Sequence, residues 1–433
     1  IPLREIAKEA LTQAPCVEKA VILRREAPGV DLDPALEVDY ADLCHEAGPD
    51  CPAEVMESED PLFVLYTSGS TGAPKGIVHT CGGYMVGTYY TARNVFDIKE
   101  SDVFWCTADP GWITGHSYII YGTLAVGTTI VIVEGTPDYP DPGTYWRLVQ
   151  ELGVTIFYTA PTAIRMFMRY GDEWPAKYDL SSLRVLGSVG EPLNPEAFEW
   201  YYHHIGRKQC PVVDTWWQTE TGMHIVTTMI GEAMKPGFAG KAIPGTIVDV
   251  VDRAGNPVRP GTGGYLVIRE PWPAMLRTVY GNDERYRTYW ETIPGCYMAG
   301  DLAVKDEEGY IMILGRTDDL IIVAGHNIGT AEVESALVSH DAVAEAAVIG
   351  KPDPVKGNII KAFVTLCVGV NSGDGLSAEL ARHVRSNLGP VAVPAEIEYV
   401  DRLPKTRSGK IMRRVLRARE LGMDPGDIST LEE

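Results

Sequence analysis

Between residues 129 and 192 short apolar runs alternate with helix-period stretches: TIVIVEG (129–135), TYWRLVQELG (144–153), VTIFYTAP (154–161) and LRVLGSVGEP (183–192). An apolar run bounded by amphipathic sequence reads as a buried strand, and strands alternating with helices predict a layered α/β fold with sheets covered on both faces. The pattern holds for the first three-quarters of the 433 residues. It changes near Val248, where VDVVDRAGNPVRPGTGGYLVIRE offers strands with Gly/Pro turns and predicts a β subdomain. A last break follows ILGRTDDL (313–320); beyond it IIVAG, TAEVESALVSH, VAEAAVIG, IKAFVTLCV, GLSAELARHVRSNLG and a basic tail make one small α+β domain. No internal repeat stands out.

PLFVLY (61–66) reads as a buried strand leading into TSGSTGAPKG (67–76), a glycine- and hydroxyl-rich run around Lys75. A strand, a glycine-rich turn and a lysine can cradle phosphate through backbone N–H groups and one ammonium charge. The G-x-x-x-x-G-K-[ST] pattern fails, because Pro74 precedes the lysine and Gly76 follows it. Taken alone, the run fits a phosphate-binding loop of another kind or a plain surface loop.

Lys and Arg number 38 against 59 Asp and Glu, a formal charge of −21. That balance argues against nucleic acid or an anionic membrane as the main partner, so an anionic ligand must be met by individually placed cations. The eight cysteines include no C-x-x-C pair and the nine histidines no H-x-x-x-H pair, which suits reduced, packed thiols and gives no zinc pattern. There is no signal peptide and no apolar stretch of membrane-spanning length, so a cytoplasmic location is expected. The chain starts at Ile1, and LREIAKEALTQ reads like the middle of a fold, which makes a fragment the expectation.

GEP (190–192), DTWWQTETG (214–222), YMAGD (297–301), GRTDD (315–319) and PKTRSGK (404–410) join the opening run. In this order they resemble the adenylate-forming superfamily of acyl-CoA synthetases and luciferases. DTWWQTETG, GSVGEPLNPEAFEWY, TAPTAI and LPKTRSGKIMRR resemble most the AMP-forming acetyl-CoA synthetase family within it. The resemblance covers essentially the whole chain and implies that part of the large domain lies upstream of Ile1. It implies the adenylate-forming enzyme fold: a large layered α/β N-terminal domain over 1–317 with a β subdomain at about 240–317, and a small mobile α+β C-terminal domain over 318–433.

The chemistry implied couples a short carboxylic acid to coenzyme A through ATP and Mg²⁺. A carboxylate attacks the α-phosphate, giving acyl-AMP and pyrophosphate, and the thiol then attacks the acyl carbon. The protein supplies positioning and charge stabilisation rather than a nucleophile. By resemblance Thr67, Ser68, Gly69, Ser70, Thr71 and Gly72 wrap the β- and γ-phosphates and Lys75 neutralises them. Gly190, Glu191 and Pro192 wall the adenine; Asp214, Thr215, Trp216, Trp217, Gln218 and Thr219 line the adenine and α-phosphate side; Glu220 holds Mg²⁺. Asp301 accepts the ribose hydroxyls, with Arg316 beside it. Lys410 contacts carboxylate and α-phosphate during adenylation and is the site where lysine acetylation and deacetylation enzymes would act. Asp318 is the hinge. Arg413, Arg414 and Arg417 read as a solvated basic face.

The acyl pocket implied is Ile113, Thr114, Val189 and Trp217, whose indole favours acetate, then propionate. Coenzyme A contacts carry over to Thr114, Asp138, Ala324, Gly325 and Arg385, and a metal held by backbone carbonyls to Val338, His340 and Val343. Three positions depart from the pattern. Asn327 replaces an arginine that meets ATP phosphate, Ala324 a serine near coenzyme A, and Asp138 an asparagine at the coenzyme A mouth. A propionyl- or hydroxyacyl-CoA synthetase module is one alternative. A non-catalytic adenylate-binding fragment is the other.

Overall fold

The computed structural model describes all residues except 1–2, 25–30, 68–73, 318, 324–325, 355, 368, 406–410, 427, 429–430 and 432–433, and the side chains at 322, 326, 327 and 374. The predicted alternation becomes a sheet of seven strands. Their order is Lys241–Ala242, Val226–Thr227, Val212–Trp216, Val185–Val189, Ile156–Thr159, Val103–Cys106 and Thr129–Val131. The last five run parallel, and Val226–Thr227 runs against both its neighbours. Helices Thr144–Leu152, Pro161–Tyr170 and Pro195–Trp200 fill the crossovers.

Side chains alternate across a strand, so a sheet covered on both faces must bury consecutive residues in different cores. Ile156 and Tyr158 pack with Phe96, Tyr118 and Val213 on one face, while Phe157 packs with Trp105, Trp146 and Leu186 on the other. The run TIVIVEG pairs only over Thr129–Val131, and Ile132 is 61% exposed. The strand lies at the sheet edge, where one neighbour alone supplies hydrogen bonds.

Two antiparallel sheets accompany the parallel one, and PLFVLY in the first is half-buried rather than buried, with Val64 39% and Tyr66 57% exposed. Pro61–Thr67, Lys75–Thr80 and Thr278–Val279 form the first, and Val248–Val251, Gly263–Ile268, Tyr297–Lys305 and Ile311–Arg316 the β subdomain that the Gly/Pro-rich turns predict. The last residues build their own layers. Val343–Asp353, Gly357–Leu366 and Glu396–Tyr399 form a sheet, packed with helices Thr330–Val338 and Asp374–Leu388 around Val333, Leu337, Val348, Ala362 and Leu380. Helix Arg413–Leu421 closes a smaller core through Leu416.

Residues 1–56 form a compact unit of their own, separate from 57–433. It holds helix Leu3–Thr12, parallel strands Ala20–Ile22 and Glu37–Asp39, and helix Tyr40–Glu46. Arg4 Nε donates to Glu37 Oε1 at 2.8 Å and ties the first helix to the strand pair.

Candidate active site

Lys75 opens a strand. It pairs with Thr67 across an antiparallel hairpin, so both ends of the hydroxyl-glycine run are brought together. A P-loop lysine would open a helix instead, which gives the structural reason that pattern fails. Thr67 Oγ1 is buried with no hydrogen-bond partner among the described residues. Ser68, Gly69, Ser70, Thr71 and Gly72 lie outside them.

The Lys75 ammonium reaches across to the end of the parallel sheet. Nζ donates to Glu220 Oε1 at 2.7 Å and to the Tyr289 hydroxyl at 2.6 Å, and that hydroxyl donates to Glu220 Oε1 at 2.6 Å. Burial alone would push the Glu220 carboxyl up, but the charge and hydrogen bond of Lys75, with the Tyr289 hydroxyl, hold it down at about 2. Glu220 is therefore a buried anion at neutral pH, the donor type a hard divalent cation requires.

DTWWQTETG runs from the strand Val212–Trp216 into a turn, and two of its side chains, Trp216 and Gln218, bond to the β subdomain. Gln218 Nε2 donates to Asp301 Oδ2 at 2.8 Å and to the Ala299 carbonyl at 2.7 Å, and Gln218 Oε1 accepts from the Tyr297 hydroxyl at 2.9 Å. Trp216 Nε1 also donates to Asp301 Oδ2, at 3.1 Å. Asp301 and Arg316 are cross-strand partners, with Arg316 Nη1 3.4 Å from Asp301 Oδ1. One oxygen thus accepts from Gln218 and Trp216, and the other faces the guanidinium. The turn closes at Gly222, whose φ of +69° and whose missing Cβ, which would lie 2.4 Å from the Ala274 carbonyl oxygen, both require glycine. Thr219 offers its carbonyl to His79 Nε2 at 2.7 Å; a carbonyl only accepts, so that nitrogen carries the proton. Burial lowers His79 to about 4, which keeps the ring neutral.

Asp214 sits deeper, at the sheet centre, where burial pushes its carboxyl up to about 7. Thr215 Oγ1 donates to the Ser188 carbonyl at 2.7 Å and lies 2.7 Å from the Tyr158 hydroxyl. Val189 ends the neighbouring strand, and Gly190 turns the chain at φ +101°. In the turn that follows, Arg165 Nη2 donates to Glu191 Oε1 at 2.8 Å and the Thr162 hydroxyl donates to the same oxygen, while Pro192 is exposed. Trp217 packs edge-on against Tyr118 at 5.1 Å and His224 at 5.6 Å. Ile113 and Thr114 lie on the short helix Ile113–Gly115, which runs directly into the His116–Tyr121 segment that carries Tyr118.

Asp138 is exposed and accepts from the Tyr170 hydroxyl at 2.9 Å; Arg385 is exposed on helix Asp374–Leu388. The His340 carbonyl accepts from the Val343 N–H at 2.9 Å, just past Val338 at the end of its helix. Asn327 lies in the strand His326–Ile328, its side chain outside the described residues, as are Asp318, Ala324, Gly325 and Lys410. Lys405 and Ile411 pair in an isolated antiparallel bridge. The tail reading fails at Arg413. Its Nε donates to Glu334 Oε1 at 2.7 Å and its Nη1 lies 3.3 Å from Asp319 Oδ2, so it is a half-buried ion-pair centre rather than a solvated face; Arg417 is exposed.

Sequence reasoning missed Tyr289, Tyr297, His79 and Arg165. Tyr297 opens the YMAGD motif but was given no role there; it and Tyr289 contact residues 79 and 69 positions away, and nothing local marks Tyr289.

A sequence model of the family described as AMP-binding enzyme matches residues 4–278, and one described as AMP-binding enzyme C-terminal domain matches 332–410. The chain is 52% identical over 436 residues to the acetyl-coenzyme A synthetase of Methanothrix thermoacetophila and 54% identical over 434 residues to that of Streptomyces coelicolor. Both comparisons cover 100% of this chain, which spans 66% and 67% of those proteins. The crystal structure of the anthranilate CoA ligase AuaEII in complex with anthranoyl-AMP superposes with a TM-score of 0.83 at 28% identity, over 96% of this chain and 76% of that one.

Proposed function

This chain belongs to the AMP-binding enzyme family, and on that premise we propose that it is an acid–thiol ligase acting on acetate or another short acid. In the first half-reaction a carboxylate oxygen bonds to the α-phosphorus of ATP as the bond to the bridging oxygen breaks, releasing pyrophosphate. In the second, the coenzyme A sulfur bonds to the acyl carbon, releasing AMP and a proton. One observation carries the reading: Lys75 and Glu220, a cation and a buried anion, are joined through Tyr289, Tyr297 and Gln218 to Asp301 and Arg316. A phosphate-binding end and a ribose-binding end so linked suit one nucleotide. The names of the relatives, and the adenylate bound to the anthranilate ligase, support the same chemistry.

In this reading the hairpin run and Lys75 hold the β- and γ-phosphates, and Asp301 accepts the ribose hydroxyls. Glu220 suits Mg²⁺, which supplies charge neutralisation on the phosphates when bound. Trp217, backed by Tyr118 and His224, limits the acyl chain alongside Ile113 and Val189. The domain boundary falls at 317/318 with Asp318 as hinge, and Lys410 enters for adenylation. Thr114, Asp138, Ala324, Gly325 and Arg385 meet coenzyme A after the swing. Acetylation of Lys410 would remove the charge that adenylation needs. Among the described residues no helix is long and apolar enough to cross a membrane, and we place the protein in the cytoplasm.

Acid-dependent exchange of labelled pyrophosphate into ATP tests this over acetate, propionate, butyrate and a hydroxy acid. Exchange greatest with acetate supports the acetate reading. Exchange greatest with another acid moves the substrate but keeps the class, and nucleotide binding without any exchange favours the non-catalytic fragment.

A further inference from the structure

Tyr289 lies on helix Asp283–Glu291, whose start is fixed by Asn282 Oδ1 accepting from the Arg285 N–H at 2.9 Å. The ring is 7% exposed and stacks on Tyr297 with centroids 5.4 Å apart and planes 12° from parallel. Its hydroxyl has one proton to give and two lone pairs. It gives the proton to Glu220 Oε1 and accepts from Lys75, so the three groups close a triangle in which both bonds to Glu220 fall on one oxygen. Incoming phosphates attract Lys75 and compete with Glu220 for it. The Tyr289 bond to Glu220 does not depend on that competition, because the ring is clamped by Tyr297, itself anchored through Gln218 to Asp301.

We propose that Tyr289 is a positioning residue of the nucleotide site. Its hydroxyl fixes the direction of the Glu220 carboxylate, leaving the second oxygen to face a divalent cation, and its ring sets the spacing between the phosphate end and the ribose end. The assignment rests on the reading of the site given under the proposed function. A purely structural tyrosine would act through its ring alone, so the hydroxyl separates the two roles.

The test compares the full chain with Tyr289→Phe, which keeps the ring and loses the hydroxyl. Calorimetric titration with ATP, with and without Mg²⁺, gives for each protein the ratio of the two affinities; taken on the folded fraction, this ratio cancels a general loss of stability. The expected result is a ratio reduced about tenfold in the variant, the scale of one hydrogen bond to a charged group, with Mg²⁺-free affinity little changed. Tyr297→Phe, which frees Gln218 rather than Glu220, is expected to weaken ATP binding equally with and without Mg²⁺. An unchanged ratio in Tyr289→Phe, or an equal loss in both buffers, overturns the assignment. Wild-type protein that binds Mg²⁺·ATP but supports no exchange with any acid overturns the ligase reading and leaves the Tyr289 result to stand by itself. Wild-type protein that does not bind Mg²⁺·ATP overturns both.

Discussion

Lys75 and Glu220 are 145 positions apart in the chain and 2.7 Å apart in the fold. Taking away one partner leaves the other buried charge uncompensated, so Glu220→Gln should lower acetate-dependent exchange by about 10²–10³-fold, the range for losing one preorganised charge contact. Asp214 titrates the other way. Burial raises its carboxyl to about 7 from an ordinary 3.8, so the native state keeps a proton that the unfolded chain releases. Its contribution to stability is complete below the unfolded value and is lost as pH rises through about 7. Urea unfolding should therefore show stability falling from about pH 5 to about pH 8, and Asp214→Asn should flatten that slope. An unchanged slope in the variant would assign the effect to another group.

At the scale of elements, helix Arg413–Leu421 is fastened to helix Thr330–Val338 by the Arg413–Glu334 pair, and Val348 N–H donates to the same carboxylate at 2.8 Å. Glu334 is buried, so Arg413→Ala should destabilise the folded chain by about 3 kcal/mol, read as a lower urea midpoint with unchanged m. Arg417→Ala, on an exposed side chain, should change it by less than about 0.5 kcal/mol. The difference shows where local reading stops. Strand and helix periodicity is written in adjacent residues, so the parallel sheet, the β subdomain and the final α+β layers were legible. Arg413 looked solvated because its partner lies 79 residues earlier, and Tyr289 carried no mark because its three partners come from other elements. Edge position shortened the Thr129–Val131 strand for a similar reason, since a sheet's boundary is a tertiary fact. Trp217 was singled out from its motif, and its packing on Tyr118 gives the indole a fixed backing. Trp217→Gly should move the preferred acid to a longer chain, by about 1–3 kcal/mol for each added methylene accommodated. The same chain-length profile in the variant would place the pocket elsewhere.

For the whole molecule, the proposed function requires that segments far apart in sequence surround one nucleotide and that residues 318–433 move between two half-reactions. Asp318→Pro should block one half-reaction and spare the other, measured as pyrophosphate exchange against transfer from preformed acetyl-AMP to coenzyme A; equal loss of both would argue against a hinge there. The motifs DTWWQTETG, YMAGD and GRTDD were legible as words, while the register that sets Asp301 against Arg316 and the tyrosine pair that joins both ends were not, since pairing across a sheet is decided by the fold. The most direct test is a crystal structure of the chain with a non-hydrolysable acetyl-adenylate ester. The expected result is ribose hydroxyls within hydrogen-bond distance of Asp301, the acetyl group against Trp217 and the phosphate on the side of Lys75 and Glu220. An adenylate bound away from Asp301 and Lys75 would contradict it.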